Sequence, residues 1–190
     1  MEEFTKVYPN VKFKIFFGRA PTKDTDILIS CLPPLDFKKK TLILEENLLI
    51  AMHKDNPLSS KKCLKVSDLK NERFIIGLSA QTDEECKKAG FVPNITFESN
   101  DPHYIRKYIE MGLGIAFIPS VSWQNLFSEN VVLKDVGVKR KTYAYIPQNK
   151  HTKRAVTVFI EYLINAANKS MEQYNSSLTS FKTTQASLKD

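Results

Sequence analysis

Three histidines and three cysteines are the side chains here best suited to metal ligation or nucleophilic attack, and their spacing supports neither. His53, His103 and His151 lie far apart, and none belongs to a His-x-x-x-His pair. There is no Gly-x-Ser-x-Gly elbow, and no glycine-rich loop ending in Lys-Ser/Thr that would cradle phosphate. Cys31, Cys63 and Cys86 are odd in number and widely spaced, with no Cys-x-x-Cys pair, so reduced thiols are expected instead of a disulfide frame or a structural zinc site. Asp26 and Glu98 are assigned turn or strand-edge roles. The inventory therefore calls for no catalysis, no metal and no cofactor.

Binding chemistry is better provided for. Phe74-Ile75-Ile76 reads as a strand ending at Gly77, followed by the loop Leu78-Ser79-Ala80-Gln81 and then Thr82-Asp83-Glu84-Glu85, a capping box whose helix runs to Ala89 before Gly90. A helix start gathers free N–H groups, and with Ser79 and Gln81 beside it suits a carboxylate or phosphate. Asp83, Glu84 and Glu85 already complement the helix dipole and weaken that pull. Ser99 and Asn100 follow a strand at 95–98 and sit on a crossover loop, where serine and asparagine also serve as ordinary turn residues.

The elements that would position these groups alternate between helix and strand. Asp101 caps a helix with Pro102 in its first turn; Tyr104, Ile105, Tyr108, Ile109 and Met111 form its apolar stripe, and Gly112 supplies a left-handed stop. Leu113-Gly114-Ile115-Ala116-Phe117-Ile118 follows, apolar without alternation as in a strand buried on both faces, and Pro119 ends it. Val11, Phe13 and Ile15 alternate as in a strand, and 151–168 carries Ala155, Val158, Phe159, Tyr162, Leu163 and Ala166 at helical spacing. The class implied is α/β.

At 190 residues and 42% hydrophobic, the chain can bury a real core. No run approaches the roughly 18 apolar residues of a membrane span, and Met1-Glu2-Glu3 is no signal region, so cytoplasmic residence is the expectation. The formal charge of +7 comes from lysines spread along the chain without interleaved aromatic or glycine motifs, which describes a solvated surface better than a nucleic-acid interface. The excess can still attract an anionic small molecule.

Taken in order, these segments resemble the effector-binding domain of LysR-type transcriptional regulators. Residues 101–120 resemble its "aGlGia.lP" signature; Phe4 to Ile15 resembles "F...yP.v.l.l"; Asp26-Ile27-Leu28-Ile29-Ser30 matches "lDlai". Leu44 to Met52, Asn56-Pro57-Leu58, Val66-Ser67-Asp68-Leu69 and Arg73-Phe74-Ile75-Ile76 follow "L..e.l.lv....hPL.....v.l.dL...pfi", and Gly90 to Glu98 matches "aGf.P.i.fe". The likeness covers most of residues 2–167.

That resemblance implies two Rossmann-like lobes joined by crossover strands, a type 2 periplasmic-binding-protein-like fold. Lobe I would comprise 1–46 and 147–172, lobe II 47–146, and 173–190 would be a flexible polar tail. A metabolite would sit in the inter-lobe cleft, contacted by Ser30, Cys31, Leu78, Ser79, Ala80, Gln81, Ser99 and Asn100, and lobe and dimer rearrangement would pass the signal on. A homodimer or higher oligomer is implied. The family domain opens with a strand and helix that this chain begins too late to contain, so an incomplete lobe I is expected, and DNA contact only through a helix-turn-helix absent from this chain. Cys86 falls near where some peroxide-sensing relatives carry a redox cysteine, but without a resolving partner a structural thiol is preferred. The same architecture would serve a solute-binding protein or the regulatory domain of a biosynthetic enzyme; the first needs an export signal or lipid-attachment cysteine not found at 1–10.

Overall fold

The computed structural model describes residues 1–18, 20–34, 37–77, 81–123, 126–147 and 152–186. In chain order they form α1 (Glu2–Val7), β1 (Leu28–Ser30), β2 (Phe37–His53), β3 (Arg73–Ile76), α2 (Gln81–Lys88), β4 (Asn94–Glu98), α3 (Pro102–Glu110), β5 (Ala116–Pro119), β6 (Val131–Pro147) and α4 (Arg154–Ala186). Short 3₁₀ turns lie at Pro57–Ser60 and Val66–Leu69. The chain divides into two compact units, residues 1–45 with 141–190, and residues 46–140, and it passes between them within β2 and β6. Tyr143, Ala144 and Tyr145, on the stretch through which the sequence analysis has the chain return, pair with β1.

In the second unit, β3 and β4 pair in parallel, Arg73 opposite Asn94 and Ile76 opposite Glu98, and a parallel bridge joins Phe74 to Ile115 at the head of β5. β5 runs antiparallel to β2, Leu48 opposite Pro119 and Ala51 opposite Ala116. Strands buried on both faces carry apolar residues at every position. Ile50, Met52, Phe74 and Ile76 accordingly pack with Leu64, Leu69, Cys86 and Phe91, while Leu49, Ala51 and Ile75 pack with Ile105, Ile109 and Ile118.

Local signals set the helix ends. Asp101 Oδ1 accepts the His103 N–H at 2.8 Å, Pro102 fills the first turn, and Gly112 at φ 68° closes α3 with Leu113 N–H donating to Tyr108 O at 3.0 Å. Asp101→Ala is expected to lower stability by about 1 kcal/mol in urea denaturation, the usual cost of a lost cap. Gly90, at φ 87°, ends the α2 segment as expected. α2 itself starts at Gln81, so Thr82, expected as its cap, lies buried inside the helix.

In the first unit, β1 and β6 run antiparallel, and Ala144, Ile146, Val156 and Ile160 form a small core with Ile27, Ile43 and Ile164 against it. Phe4 is buried among Tyr8, Phe13, Phe159 and Tyr162. The strand expected at 11–15 does not form. Phe13 packs inward between Phe4 and Phe159 with Lys12 and Lys14 exposed, but Ile15 is exposed too, and among the described residues no strand is hydrogen-bonded along the segment. α4 keeps helical backbone from 173 to Ala186, where the sequence analysis placed a polar tail; the segment contains neither glycine nor proline to break it.

Candidate functional site

Because β3, β4 and the head of β5 are parallel, their carboxyl ends share one edge of the second unit, the edge at which open α/β sheets present ligand-binding loops. Ser99 N–H donates to Ile76 O at 3.0 Å, and a Cβ on Gly77 would stand 3.7 Å from Ser99 O, so the connections after β3 and β4 run side by side. Ser99 Oγ accepts the Asp101 N–H at 3.1 Å, a turn role, and Asn100 is exposed. Gln81 opens α2, its Nε2 donating to Lys139 O at 3.2 Å. Leu78, Ser79 and Ala80 lie outside the described residues.

The same edge holds a cluster that the spacing of motifs did not single out. Glu46 is buried, and its carboxylate receives Val121 N–H at 2.9 Å, Ser122 N–H at 3.0 Å, Ser122 Oγ–H at 2.8 Å and Arg140 Nη2–H at 2.8 Å. Burial by itself would raise the Glu46 carboxyl; the Ser122 N–H and the Arg140 guanidinium overcome that and hold it below its ordinary range. Ser120 N–H donates to Asn47 O at 2.9 Å, which fixes the turn beside this carboxylate. A signal for Glu46 was present: it is in phase with Leu48, Ile50 and Met52, so strand alternation puts it on a buried face.

In the first unit, Ser30 ends β1 opposite Tyr143, and its Oγ accepts the Leu32 N–H at 3.1 Å. Cys31 Sγ lies 3.5 Å from Thr142 Oγ1. At the opposite edge of the second unit from the strand ends, His53, Asp55, Asn56, Pro57, Met111, Gly112 and Gly114 line a half-open pocket of about 400 Å³. Among the described residues no three His, Cys, Asp or Glu side chains are placed to hold a metal ion, and no helix is long and apolar enough to cross a membrane.

Cys86 is fully buried, and burial, with Asp83 and Glu85 nearby, pushes its thiol up to about 11. Cys63 is exposed. A thiol reagent at neutral pH should therefore label Cys63 in the native protein and leave Cys86 unmodified until denaturant is added; mass mapping of the labelled peptides checks this.

Residues 1–168 match the family described as LysR substrate binding domain. The chain is similar, at 24% identity over 188 residues, to the transcriptional dual regulator GltC of Bacillus subtilis (strain 168), the alignment covering 90% of this chain and 62% of that protein's length. Its fold is similar to the CcmR regulatory domain of Synechocystis PCC6803 in complex with 2-PG, with a TM-score of 0.72 at 19% identity over 87% of this chain and 88% of that one. It is likewise similar to the effector binding domain of QuiR in complex with shikimate, with a TM-score of 0.68 at 15% identity over 88% of each. The architecture is thus the mixed α/β, type 2 periplasmic-binding-protein-like fold. With the family match running through both units, the chain belongs to the LysR substrate-binding-domain family.

Proposed function

We propose that this chain is a sensor: it binds a small-molecule effector without transforming it, and the bound state biases transcription through a DNA-binding domain. The observation that carries this reading is the carboxyl edge of the second unit, where Gln81, Ser99 and Asn100 gather hydrogen-bonding groups beside the Glu46, Ser122, Arg140 cluster. Ser30, Cys31, Leu78, Ser79 and Ala80 complete the set carried over from the family resemblance. Relatives named as transcriptional regulators, and a fold neighbour bound to shikimate, support it.

The finer reading is a small anionic effector, a homodimer, and a cytoplasmic setting. A ligand shifts a two-state protein only by its differential affinity for the two states, typically about 1 to 3 kcal/mol of coupling. Thermal-shift screening of the full chain against amino acids, aromatic acids and small carboxylates tests the reading. A true effector at about 100 times its Kd adds about 2.7 kcal/mol and raises Tm by several degrees. A flat response across the library, or turnover of any compound in it, overturns the sensor reading.

A further inference from the structure

The second unit runs from Glu46 to Arg140, and these first and last residues are bonded to each other, Arg140 Nη2–H donating to Glu46 Oε1 at 2.8 Å. The same oxygen takes the Ser122 Oγ–H at 2.8 Å, and Oε2 takes the Val121 and Ser122 N–H groups at 2.9 and 3.0 Å. Two donors on each oxygen use the full acceptor capacity of a carboxylate. Three elements meet there. Glu46 lies on β2 and Arg140 on β6, the neighbouring strands by which the chain enters and leaves the unit, and Val121 and Ser122 belong to the turn after β5 at the carboxyl edge. Asn47, next on β2, repeats the arrangement: its carbonyl oxygen accepts Ser120 N–H at 2.9 Å, and its Nδ2–H donates to Asp135 Oδ2 of β6 at 3.0 Å. Bonds that converge on one buried charged acceptor reinforce one another, so the turn or β6 can move only by breaking from the carboxylate or by carrying β2 with it.

We infer that Glu46 is a positioning residue that couples the turn after β5 to both connecting strands, so that a ligand ordering the turn also orders β2 and β6 where they leave the unit. The inference rests on the sensor reading above and names the regulation of that site. Coupling of this kind runs through a contiguous network and is reciprocal: what loosens the turn loosens β6, and what loosens β6 loosens the turn. Every bond in the relay lies within the second unit, and the shared atom is Glu46 Oε1, which holds Ser122 on one side and Arg140 on the other.

Hydrogen–deuterium exchange on the ligand-free full chain and its variants tests this. Ser122→Ala removes one donor at an exposed position, while the Ser120 N–H bond to Asn47 keeps the path of the turn. It is expected to speed exchange about fivefold, the effect of one lost hydrogen bond on local opening, both in the turn at 119–123 and in β6 at 138–142, with β3 and β4 at their native rates. Ser122→Thr keeps the hydroxyl and should return both segments to native exchange. Arg140→Ala removes the other donor on Oε1 and should in turn speed exchange at 119–123. Faster exchange confined to the element that carries the substitution, faster exchange in every peptide alike, or no recovery in Ser122→Thr overturns the inference. Confined effects leave the sensor reading standing, since binding needs only the carboxyl edge. Reciprocal effects in a chain whose Tm no compound of the library raises uphold the coupling and overturn the sensor reading.

Discussion

Replacing Glu46 with alanine is expected to destabilise the chain by about 3 to 5 kcal/mol, the usual cost of removing one partner of a buried ion pair. The loss is compound: Arg140 is left with an unpaired, partly buried charge, and Val121 N–H and Ser122 N–H lose their acceptor. Against a total stability of about 5 to 15 kcal/mol this is a large fraction, read as a lowered urea midpoint. Glu46→Gln keeps an acceptor and loses the charge, so it should cost less. The effect carries a pH signature. Because the folded carboxyl titrates below its ordinary 4.5, its contribution is fully present above that value and disappears as pH falls through the lower, folded one. The stability gap between the native chain and Glu46→Ala should therefore be widest at neutral pH and shrink on acidification; a gap that widens in acid would contradict the assignment.

Gly114→Ala is the second large effect. A Cβ at Gly114 would stand 2.7 Å from the Arg73 carbonyl oxygen and 3.1 Å from Ile75 Cγ1. The first neighbour is backbone and cannot rotate away. It is fixed by the bridge in which Ile115 N–H donates to Arg73 O and Ile75 N–H to Ile115 O, each at 2.8 Å. Accommodating the methyl would spread β3 from β5, at a cost of about 3 kcal/mol, the upper range for overpacking. Gly112 two residues earlier is constrained differently, by its φ of 68°, with only the His53 side chain nearby at 3.7 Å. Gly112→Asn, which tolerates that backbone, should cost well under half as much as Gly114→Ala in the same urea titrations. Equal costs would show that steric closeness at Gly114 had been misjudged.

The two glycines show what a sequence exposes and what it conceals. Gly112 could be read locally, because a cap, an apolar stripe and a stop lie within twelve residues of each other. The reason for Gly114 comes from Arg73, far away in sequence, and only the parallel bridge reveals it. β3, β4, α3 and the helix of 154–168 were legible for the first reason: periodicity and caps are local. The segment at 11–15 had a strand's alternation and forms none, because a strand is completed by a neighbour and alternation does not supply one. At the candidate site, Gln81, Ser99 and Asn100 were found by following strand ends. Glu46, Ser120 and Arg140 were not, since they are joined across the sheet and belong to no motif. A charged residue in register with a buried apolar stripe was the one clue available in advance.

Hydrogen–deuterium exchange on the full chain, with and without a compound that raises its Tm, tests the central claim most directly. The account predicts slowed exchange in peptides containing Gln81, Ser99–Asn100 and Ser122. Protection confined to the pocket of His53, Asn56 and Met111, or no protection anywhere, would contradict it.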